Sequence, residues 1–480
     1  MSAQHSLVGA LERLKLRLAD RIGVAVDRAE QLGRSVVASA TTEISLDLDL
    51  AACVFASRGA GAEDRYFVWE EPDNDGFALG GIGSAWAIDD VSAAERFGDT
   101  AARCVELMRD AVIDEELDGP AAGPVWLGGF AFSAGGGRAP QWQSLPPTLM
   151  VLPQVTLARS AGRASITANV VCGPHDDAQR LTATAMARPS ALRVASIPML
   201  DPDPIAGYEI SSVASPHRYE QAVGEARDRI RSGDLEKVVL AREVEVRSPA
   251  PFRASAVFDG LRRGYPECYC FCVGTPDVAF VGASPELLVS REGARLSAVA
   301  LAGSTRRSAD PSVDDHLGER LLHNAKDLAE HEIVVQRIER ALAPLSVWVT
   351  TAEGPGLIKV ANIQHLATPI RAQLAEPLST IELAGLLHPT PAVGGEPWEA
   401  AEPVMVELEA LDRGWYAAPV GWMDSTEDGE FCVALRCALL EGRTAHCYAG
   451  VGVVRDSEPE AELAETEVKL QALLAVLAGA

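Results

Sequence analysis

The chain has 480 residues, of which 48% are hydrophobic and 23% are charged, which is enough for a real core and for one large domain or up to about three ordinary ones. Its 41 glycines and 29 prolines are close to average usage, which excludes collagen-like and largely disordered chains. The net charge of −26 would repel a phosphate backbone, so nucleic acid is not an expected partner.

The opening segment gives no sign of export. Charged residues interrupt every apolar run in the first 23 residues, and no window reaches the roughly 18 uncharged apolar residues of a membrane helix. We therefore expect a cytoplasmic protein without a membrane partner, whose nine cysteines are reduced thiols. Cys268, Cys270 and Cys272 alternate along one strand face. Because zinc sites usually use CxxC pairs, the pattern favours small buried hydrophobes.

The first 200 residues read as strand-like segments between glycine-rich turns, with one or two helices. The strand-like segments are Cys53–Gly59, Arg65–Glu71, Gly76–Ile88, Pro124–Ser133 and Leu149–Arg159. A stretch rich in proline and aspartate, from Ser196 to Glu209, is typical of a linker or a long crossing loop. The sequence therefore predicts an N-terminal α+β region at 1–205 and a second region at 206–480.

The pattern becomes clearer after this stretch. Ser215 followed by Pro216 predicts a helix start, and Gly233 predicts its end. The next segment is rich in β-branched residues and predicts a strand with Lys237, Val239 and Ala241 on one face. Apolar stripes predict a long helix at about 316–343 and another at about 461–477.

Strand-like runs with glycine and aspartate between them occupy the intervening positions, namely 277–284, 429–440 and 446–454. The glycine and aspartate residues between these runs favour antiparallel connections over a repeating βαβ order. We therefore predict the α+β class.

Acidic residues recur on two of the predicted helices. Glu462, Glu465 and Lys469 are spaced three and four apart and share one face, which is most often a solvated face with an ion pair. Asp327 and Glu330 make a similar pair on the middle helix. If the two helices faced each other, their carboxylates would form an oxygen cage suited to Mg²⁺.

Four further residues could contribute to the chemistry of a site. Lys237 is either a desolvated lysine with a lowered pKa, able to act as a base, or a strand-end lysine that reaches solvent. Glu286 follows a strand at a Ser-Pro turn, where a carboxylate is mostly solvated. Gly450 and Gly452 would let backbone N–H groups approach an anion closely, although a lone GxG is a weak pattern.

The segments after Ser215 together resemble the chorismate-utilising enzyme family. The matching blocks, all in the order of the family, are KVVLAR (237–242), FVGASPE (280–286), LAGSTRR (301–307), KDLAEH (326–331), NIQHL (362–366), LHPTPAVGG (387–395), RGWYAAPVGW (413–422), VALRCAL (433–439) and DSEPEAELAET (456–466). The N-terminal region is similar more loosely, through GGFAF. The resemblance implies two large packed antiparallel β-sheets flanked by helices in a single catalytic unit.

Within this family the chain is most similar to isochorismate synthases. Ammonia-using members usually carry glutamine at the position of Lys237, and a lysine there goes with water as the nucleophile. Ala392 stands where aminodeoxychorismate synthases carry lysine, and where anthranilate and salicylate synthases carry threonine. Two residues depart from the common pattern, Ser304 in place of threonine and Val451 in place of a smaller residue.

The resemblance implies a Mg²⁺-dependent, reversible conversion of chorismate to isochorismate. Lys237 would deprotonate a water that attacks C2, and a protonated Glu286 would donate to the departing C4 hydroxyl. Glu330 and Glu465 would bind the metal, with Glu462 and Asp327 near it. Substrate contacts are expected from Ala302, Gly303, Ser304, His365, Ala392, Tyr416, Arg436, Gly450, Gly452 and Lys469. His365 and His388 are expected to line the pocket without transferring a proton.

Two alternatives stay open at this point. A salicylate synthase would carry the same lysine and glutamates but would go on to eliminate pyruvate, which Ala392 disfavours. A chorismate-binding subunit without turnover is the other alternative. The sequence does not distinguish menaquinone from siderophore biosynthesis, and the resemblance leads us to expect a monomer.

Overall fold

The computed structural model describes residues 3–59, 61, 64–91, 95–114, 119–197 and 207–478. Within these ranges the chain forms twelve α-helices, α1 (Ala3–Leu32), α2 (Leu50–Ser57), α3 (Arg96–Met108), α4 (Ala178–Ala185), α5 (Ala187–Ser190), α6 (Pro216–Ser232), α7 (Ala254–Gly264), α8 (Pro311–Leu322), α9 (Ala325–Leu342), α10 (Thr380–Leu387), α11 (Trp398–Glu409) and α12 (Pro459–Ala478). Two short 3₁₀ turns span Pro140–Trp142 and Ala343–Leu345.

The same ranges contain 22 strands, β1 (Val36–Ile44), β2 (Tyr66–Glu71), β3 (Phe77–Ile82), β4 (Trp86–Ile88), β5 (Val125–Phe130), β6 (Thr148–Leu152), β7 (Val155–Ser160), β8 (Arg163–Cys172), β9 (Glu209–Ser212), β10 (Lys237–Arg247), β11 (Tyr269–Gly274), β12 (Val278–Ser284), β13 (Leu287–Glu292), β14 (Arg295–Arg306), β15 (Ser346–Thr351), β16 (Gly356–Lys359), β17 (Ile363–Leu374), β18 (Gly395–Glu396), β19 (Pro419–Asp424), β20 (Gly429–Val433), β21 (Cys437–Glu441) and β22 (Thr444–Val453).

The strands form two antiparallel sheets, as expected. In the part of the chain that the structure describes, the larger sheet has twelve strands in the order β1-β8-β7-β3-β2-β11-β12-β21-β22-β10-β18, with β9 paired to β10. The smaller sheet has ten strands in the order β15-β17-β14-β13-β20-β19-β5-β6-β4, with β16 paired to β17. The predicted α+β class with two packed antiparallel sheets is confirmed.

Strands from both sides of the predicted boundary pair within each sheet. Strand β2 pairs with β11 in the larger sheet, and β5 pairs with β19 in the smaller one. The predicted boundary at 205 and 206, and residues 198–206 of the predicted linker, lie outside the described residues. The division into two regions therefore stays a prediction.

Alternate residues of β11 face two different cores. Phe271 and Val273 join a cluster that includes side chains of the smaller sheet. Cys270 and Cys272 join a second cluster with residues of α1, α2, α7 and α12. Cys268, just before the strand, belongs to the same second cluster, and all three cysteines are buried free thiols. They pack as small hydrophobes.

Two predictions of secondary structure in the first 200 residues are wrong. The segment at 53–59 was expected as a strand but lies largely in α2, whose N-terminus is capped by Asp49 through a 2.9 Å bond from the Ala52 N–H. Nearly all residues of this short helix are buried, so no helical period is visible in its sequence. The described part of the first 200 residues contains the helices α1 to α5 instead of one or two.

The helix expected at about 316–343 is two helices, α8 and α9. Asn324 separates them, because its side-chain oxygen accepts hydrogen bonds from the Lys326 and Asp327 N–H groups at 2.9 and 3.3 Å. An asparagine that caps a helix in this way starts a new helix. The apolar stripe continues through α8 and α9, so it does not reveal the break between them. The predicted α6, β10 and α12 are confirmed, including the Ser215 cap and the left-handed Gly233.

Two of the places where the chain passes from one sheet to the other are neighbours. The chain leaves β12 for β13 at Pro285 and Glu286, and it returns from β20 to β21 at 434–436. The crossings are bonded together, since the Val433 N–H donates to the Glu286 carbonyl at 3.0 Å. None of the described helices combines the length and apolar content that a bilayer span requires.

Gly128 in β5 allows close pairing in the smaller sheet. A Cβ at this position would lie 1.8 Å from the Leu149 carbonyl oxygen of β6. We expect Gly128→Ala to lower the free energy of unfolding by about 1–3 kcal/mol, because the backbone of β6 must move. Gly98 in α3 is the matched control, since a Cβ there would meet nothing within 4 Å, and Gly98→Ala should raise stability slightly. Thermal melts of both variants test this, and equal melting temperatures would contradict it.

Candidate active site

A cleft lies beside these two crossings between the sheets. Side chains from β10, β14, β22, α9 and α12 and from both crossings line it. The lining residues are Val239, Pro285, Glu286, Leu301, Ala302, Gly303, Ser304, Lys326, Asp327, Glu330, His365, Ala392, Val393, Tyr416, Ala417, Leu435, Arg436, Tyr448, Ala449, Gly450, Gly452, Glu462, Glu465 and Lys469.

Lys237 is fully buried at the edge of this cleft. Its Nζ lies 2.8 Å from Glu330 Oε1 of α9. Gly452 of β22 makes this contact possible, because a Cβ there would lie 2.3 Å from Glu330 Oε1 and 2.7 Å from Lys237 Cε. The interpretation of Lys237 as a strand-end lysine that reaches solvent is therefore wrong.

Glu286 is also buried, with 3% of its surface exposed. Burial raises the pKa of its carboxyl to about 8, although the positive charges of Lys237 and Lys469 act in the opposite direction. The side chain is therefore mostly protonated at neutral pH. The interpretation of Glu286 as a solvated carboxylate at a loop tip is wrong, because the residue lies inside the crossing between the sheets.

The helices α9 and α12 present their acidic residues to the same cleft. Lys326 Nζ of α9 lies 2.8 Å from Glu462 Oε1 of α12, which places the two helices in contact. Burial and the neighbouring Glu330 raise the pKa of Asp327 to about 6. The face of α12 is therefore not simply solvated, since Glu462 is 3% exposed.

Each glutamate of this acidic cluster is paired with a lysine. Besides the pairs already described, Lys469 Nζ lies 2.9 Å from Glu465 Oε1. Burial would raise the pKa of Glu465, but Lys469 and a 2.9 Å hydrogen bond from Ser304 Oγ bring it below its usual value.

A second acidic group lies outside the cleft, and its possible metal ligands are closer together than those of the cleft. It consists of Glu243, Glu245 and His446, which among the described residues are the set of three whose donor atoms all lie within 4.8 Å of one another. In that group His446 Nδ1 lies 2.7 Å from Glu243 Oε1. Burial would lower the pKa of His446, but Glu243 raises it above its usual value, so this group is held together as a partly buried ion pair.

The opposite side of the cleft carries a buried arginine. Arg436 Nη2 donates to His365 Nε2 at 2.7 Å. Burial and the charge of Arg436 hold the pKa of His365 well below its usual value, so the imidazole is neutral and accepts this bond. Among the described residues, Arg436 Nη1 is buried without a hydrogen-bond partner. A buried donor of this kind is suited to an anionic ligand.

Lys469 and Tyr416 complete this side. Lys469 Nζ donates to the Gly450 carbonyl oxygen at 2.9 Å. A Cβ on Gly450 would lie 3.1 Å from Tyr416 Oη, so the glycine leaves room for the tyrosine hydroxyl. The expected role of backbone N–H groups around Gly450 in anion binding stays a prediction.

The structure brings the predicted site residues together. All ten expected substrate contacts, the four acidic residues and Glu286 line the cleft, and Lys237 contacts Glu330 beside it. His388 is the exception, because it donates to the Phe132 carbonyl at 2.8 Å and is not among the lining residues. Val451 lies on the strand face opposite to Gly450 and Gly452, so its bulk does not enter the cleft.

Two polar side chains of the cleft, those of Lys326 and Tyr448, were not named as site residues from the sequence. Lys326 stands beside Asp327 in the matching block KDLAEH, and that position was the available signal. Tyr448 lies two residues before Gly450 on the same face of β22, so strand alternation could have indicated it.

Comparison with known proteins identifies the family of this chain. The family model described as chorismate binding enzyme matches residues 24–478. The chain belongs to the chorismate-binding enzyme family. A relative within it, the isochorismate synthase MenF of Bacillus subtilis, is 37% identical over 385 residues, which is 80% of each chain.

Another family member covers almost the whole length. The salicylate biosynthesis isochorismate synthase of Pseudomonas aeruginosa is 36% identical over 472 residues, 98% of this chain and 94% of that protein. The solved structure of MenF, the menaquinone-specific isochorismate synthase of Escherichia coli, superposes with a TM-score of 0.75 over 95% of this chain and 100% of that one. Its sequence identity of 24% shows the shared fold alone.

We expect the charge of Lys237 to control the protonation of Glu286. Lys237→Met removes a positive charge that favours the carboxylate, so the pKa of Glu286 should rise above its value of about 8. Lys469→Met should raise it less, and Lys359→Met, which alters a distant pair with Asp315, should leave it unchanged. A pH titration by ¹³C NMR of labelled glutamate measures this, with Glu286→Gln identifying the resonance. An unchanged titration in Lys237→Met would contradict the expected coupling.

Proposed function

We propose that this chain is an isochorismate synthase that converts chorismate reversibly to isochorismate. One observation carries the proposal, namely that a buried, mostly protonated carboxyl lines a cleft and a buried amine contacts Glu330 beside it. A base and an acid of this kind are what is needed to move a hydroxyl group between two ring positions.

The reaction assigns opposite proton transfers to the two groups. Lys237, acting in its neutral amine form, takes a proton from the water whose oxygen bonds to C2, and Glu286 gives its proton to the hydroxyl that leaves C4 as water. The ring double bonds shift between these positions, so that one water enters and one departs. Exchange of protons with solvent returns Lys237 and Glu286 to their starting states, and the net reaction is an isomerisation.

The remaining residues of the cleft bind and orient the substrate. Arg436, with its free Nη1, and the neutral Tyr416 are placed to hold the enolpyruvyl carboxylate. Lys469 adds positive charge beside them. Ala392 lines the wall where other branches of the family carry a nucleophilic or hydroxyl side chain, which supports hydroxylation without further chemistry at that position.

The acidic residues of α9 and α12 fit a hard divalent cation, for which we propose Mg²⁺. Glu330 and Glu465 would be its ligands, with Glu462 and Asp327 close by, and an oxygen-only donor set suits Mg²⁺. When bound, the cation would supply positive charge that holds the ring carboxylate and balances the negative charge of Glu330 beside Lys237. We propose that the product enters menaquinone or siderophore biosynthesis in the cytoplasm, and that the chain acts as a monomer.

Product analysis tests the proposed reaction. Purified protein incubated with chorismate and Mg²⁺ should accumulate isochorismate, observed by ¹H NMR. Lys237→Ala and Glu286→Gln should each lower kcat/KM by about 100-fold or more, the usual contribution of a general base or acid. Lys359→Ala is a surface control that should keep full activity. Accumulation of salicylate and pyruvate would identify a salicylate synthase instead, and no product at all would favour a binding subunit.

Removal of the metal tests the acidic cluster. EDTA should abolish activity, and Mg²⁺ should restore it. Glu465→Gln and Glu330→Gln should raise the Mg²⁺ concentration needed for half-maximal activity by about tenfold or more. They should also weaken Mg²⁺ binding measured by calorimetry without substrate. Glu245→Gln, in the acidic group outside the cleft, is the matched control. If it weakened Mg²⁺ binding as much as Glu465→Gln, the assignment of ligands would be wrong.

A further inference from the structure

Three aromatic rings form a continuous stack that ends at the wall of the cleft. Tyr416, a lining residue, stacks on Tyr448 with ring centroids 5.3 Å apart and an interplanar angle of 22°. Tyr448 in turn stacks on Trp142 at 5.8 Å and 27°. Trp142 belongs to the 3₁₀ turn Pro140–Trp142 and does not line the cleft itself. The stack therefore connects the N-terminal part of the chain to a residue proposed to bind substrate.

Further contacts besides Tyr448 fix Trp142 in place. The indole is fully buried, and its Nε1 donates to the Asp412 carbonyl at 3.3 Å. Phe280 packs edge-on against it at 5.5 Å and 70°. Gly414 leaves space for the ring, because a Cβ there would lie 2.0 Å from Trp142 Cε2. The indole is consequently a fixed support on which Tyr448 rests.

The same turn is tied to the segment that carries Tyr416. The Asp412 carboxylate accepts hydrogen bonds from the N–H groups of Gly137, Arg138 and Ala139, each at 2.8 Å. It also accepts one from the Gly414 N–H at 3.0 Å, two residues before Tyr416. These bonds hold the loop at 137–142 and the segment at 412–416 as one unit.

We infer that Trp142 is a positioning residue for substrate binding, which holds the phenol of Tyr416 at the cleft wall through the ring of Tyr448. This inference rests on the proposed function, because it assigns Tyr416 a carboxylate of chorismate. Burial raises the pKa of Tyr416, so its hydroxyl stays protonated and can donate to a carboxylate. Without the indole, Tyr448 can rotate, and the hydroxyl of Tyr416 loses its fixed position. The reacting groups Lys237 and Glu286 are not part of the stack, so binding should weaken while the chemical step is preserved.

The test compares Trp142→Leu with Trp142→Phe. Leucine fills space but offers no flat face, and we expect it to raise the KM for chorismate by about threefold to tenfold, the usual worth of aromatic stacking. The kcat should stay within about twofold of the wild-type value. Phenylalanine keeps a stacking face and should restore most of the KM, although it cannot donate to the Asp412 carbonyl.

Trp69 provides a matched control. It is another fully buried tryptophan of the N-terminal part. Its ring packs against Tyr269 at 5.5 Å with a tilt of 39°, and its Nε1 donates to Glu71 at 2.8 Å. None of these three residues lines the cleft. Trp69→Leu should destabilise the fold to a similar degree while the KM stays at the wild-type value. If Trp142→Leu shows the same KM as Trp69→Leu, the inference is wrong.

A second variant covers the case in which Trp142→Leu does not fold. Asp412→Asn keeps the shape of the side chain but weakens its bonds to the loop at 137–139, and it should raise the KM with little change in kcat. An unchanged KM in this variant would also overturn the inference. A wild-type protein that forms no isochorismate would instead reject the proposed function, so the two failures are distinguishable.

Discussion

The buried pair of Lys237 and Glu330 is the interaction on which the rest of the site depends. An ammonium group removed from water is strongly destabilised unless a partner compensates it. The partner comes from α9, which packs on β14 and β17 of the smaller sheet, so the pair joins this helix to β10 of the larger sheet. Gly452 permits that approach, because any side chain there would occupy the space of the pair. One buried charge therefore fixes the position of a strand, a glycine and a helix together.

Glu286 shows how the same desolvated environment, without a close charged partner, leaves a carboxyl uncharged. Lys237 has a carboxylate at 2.8 Å, whereas Glu286 has only the more distant charges of Lys237 and Lys469 and therefore keeps its proton. Its burial follows from topology, since the chain crosses from β12 to β13 at this residue and β20 covers the crossing. The connection between the two sheets thus buries Glu286 and keeps it protonated, which makes it the acid of the proposed reaction.

The sequence predicted the helices and strands that are marked by local signals such as caps. It missed features that depend on burial or on contacts between residues far apart in the chain. Ser215, Pro216 and Gly233 mark α6 because caps act within one turn. The helix α2 was missed because it is buried on nearly every side, and the break at Asn324 because an apolar stripe continues through it. Within the site, residue spacing alone left Lys237 and Glu286 ambiguous, and the family resemblance resolved them. The pairing of Lys326 with Glu462 depends on two helices 136 residues apart in sequence, which no local pattern reports.

The charge balance of the cleft explains how an acidic protein can accept an acidic ligand. Among the described residues in or beside the cleft, four cations, Lys237, Lys326, Lys469 and Arg436, stand against four acids, Asp327, Glu330, Glu462 and Glu465. Glu286 and His365 are mostly neutral near pH 7, so the net charge of the cleft is close to zero. A dicarboxylate entering alone would leave two uncompensated charges in a low-dielectric space. The proposed divalent cation would cancel these two charges, so the metal and the substrate would favour each other's binding. The local charge of the cleft, and not the net charge of −26, would then decide whether an acidic ligand binds.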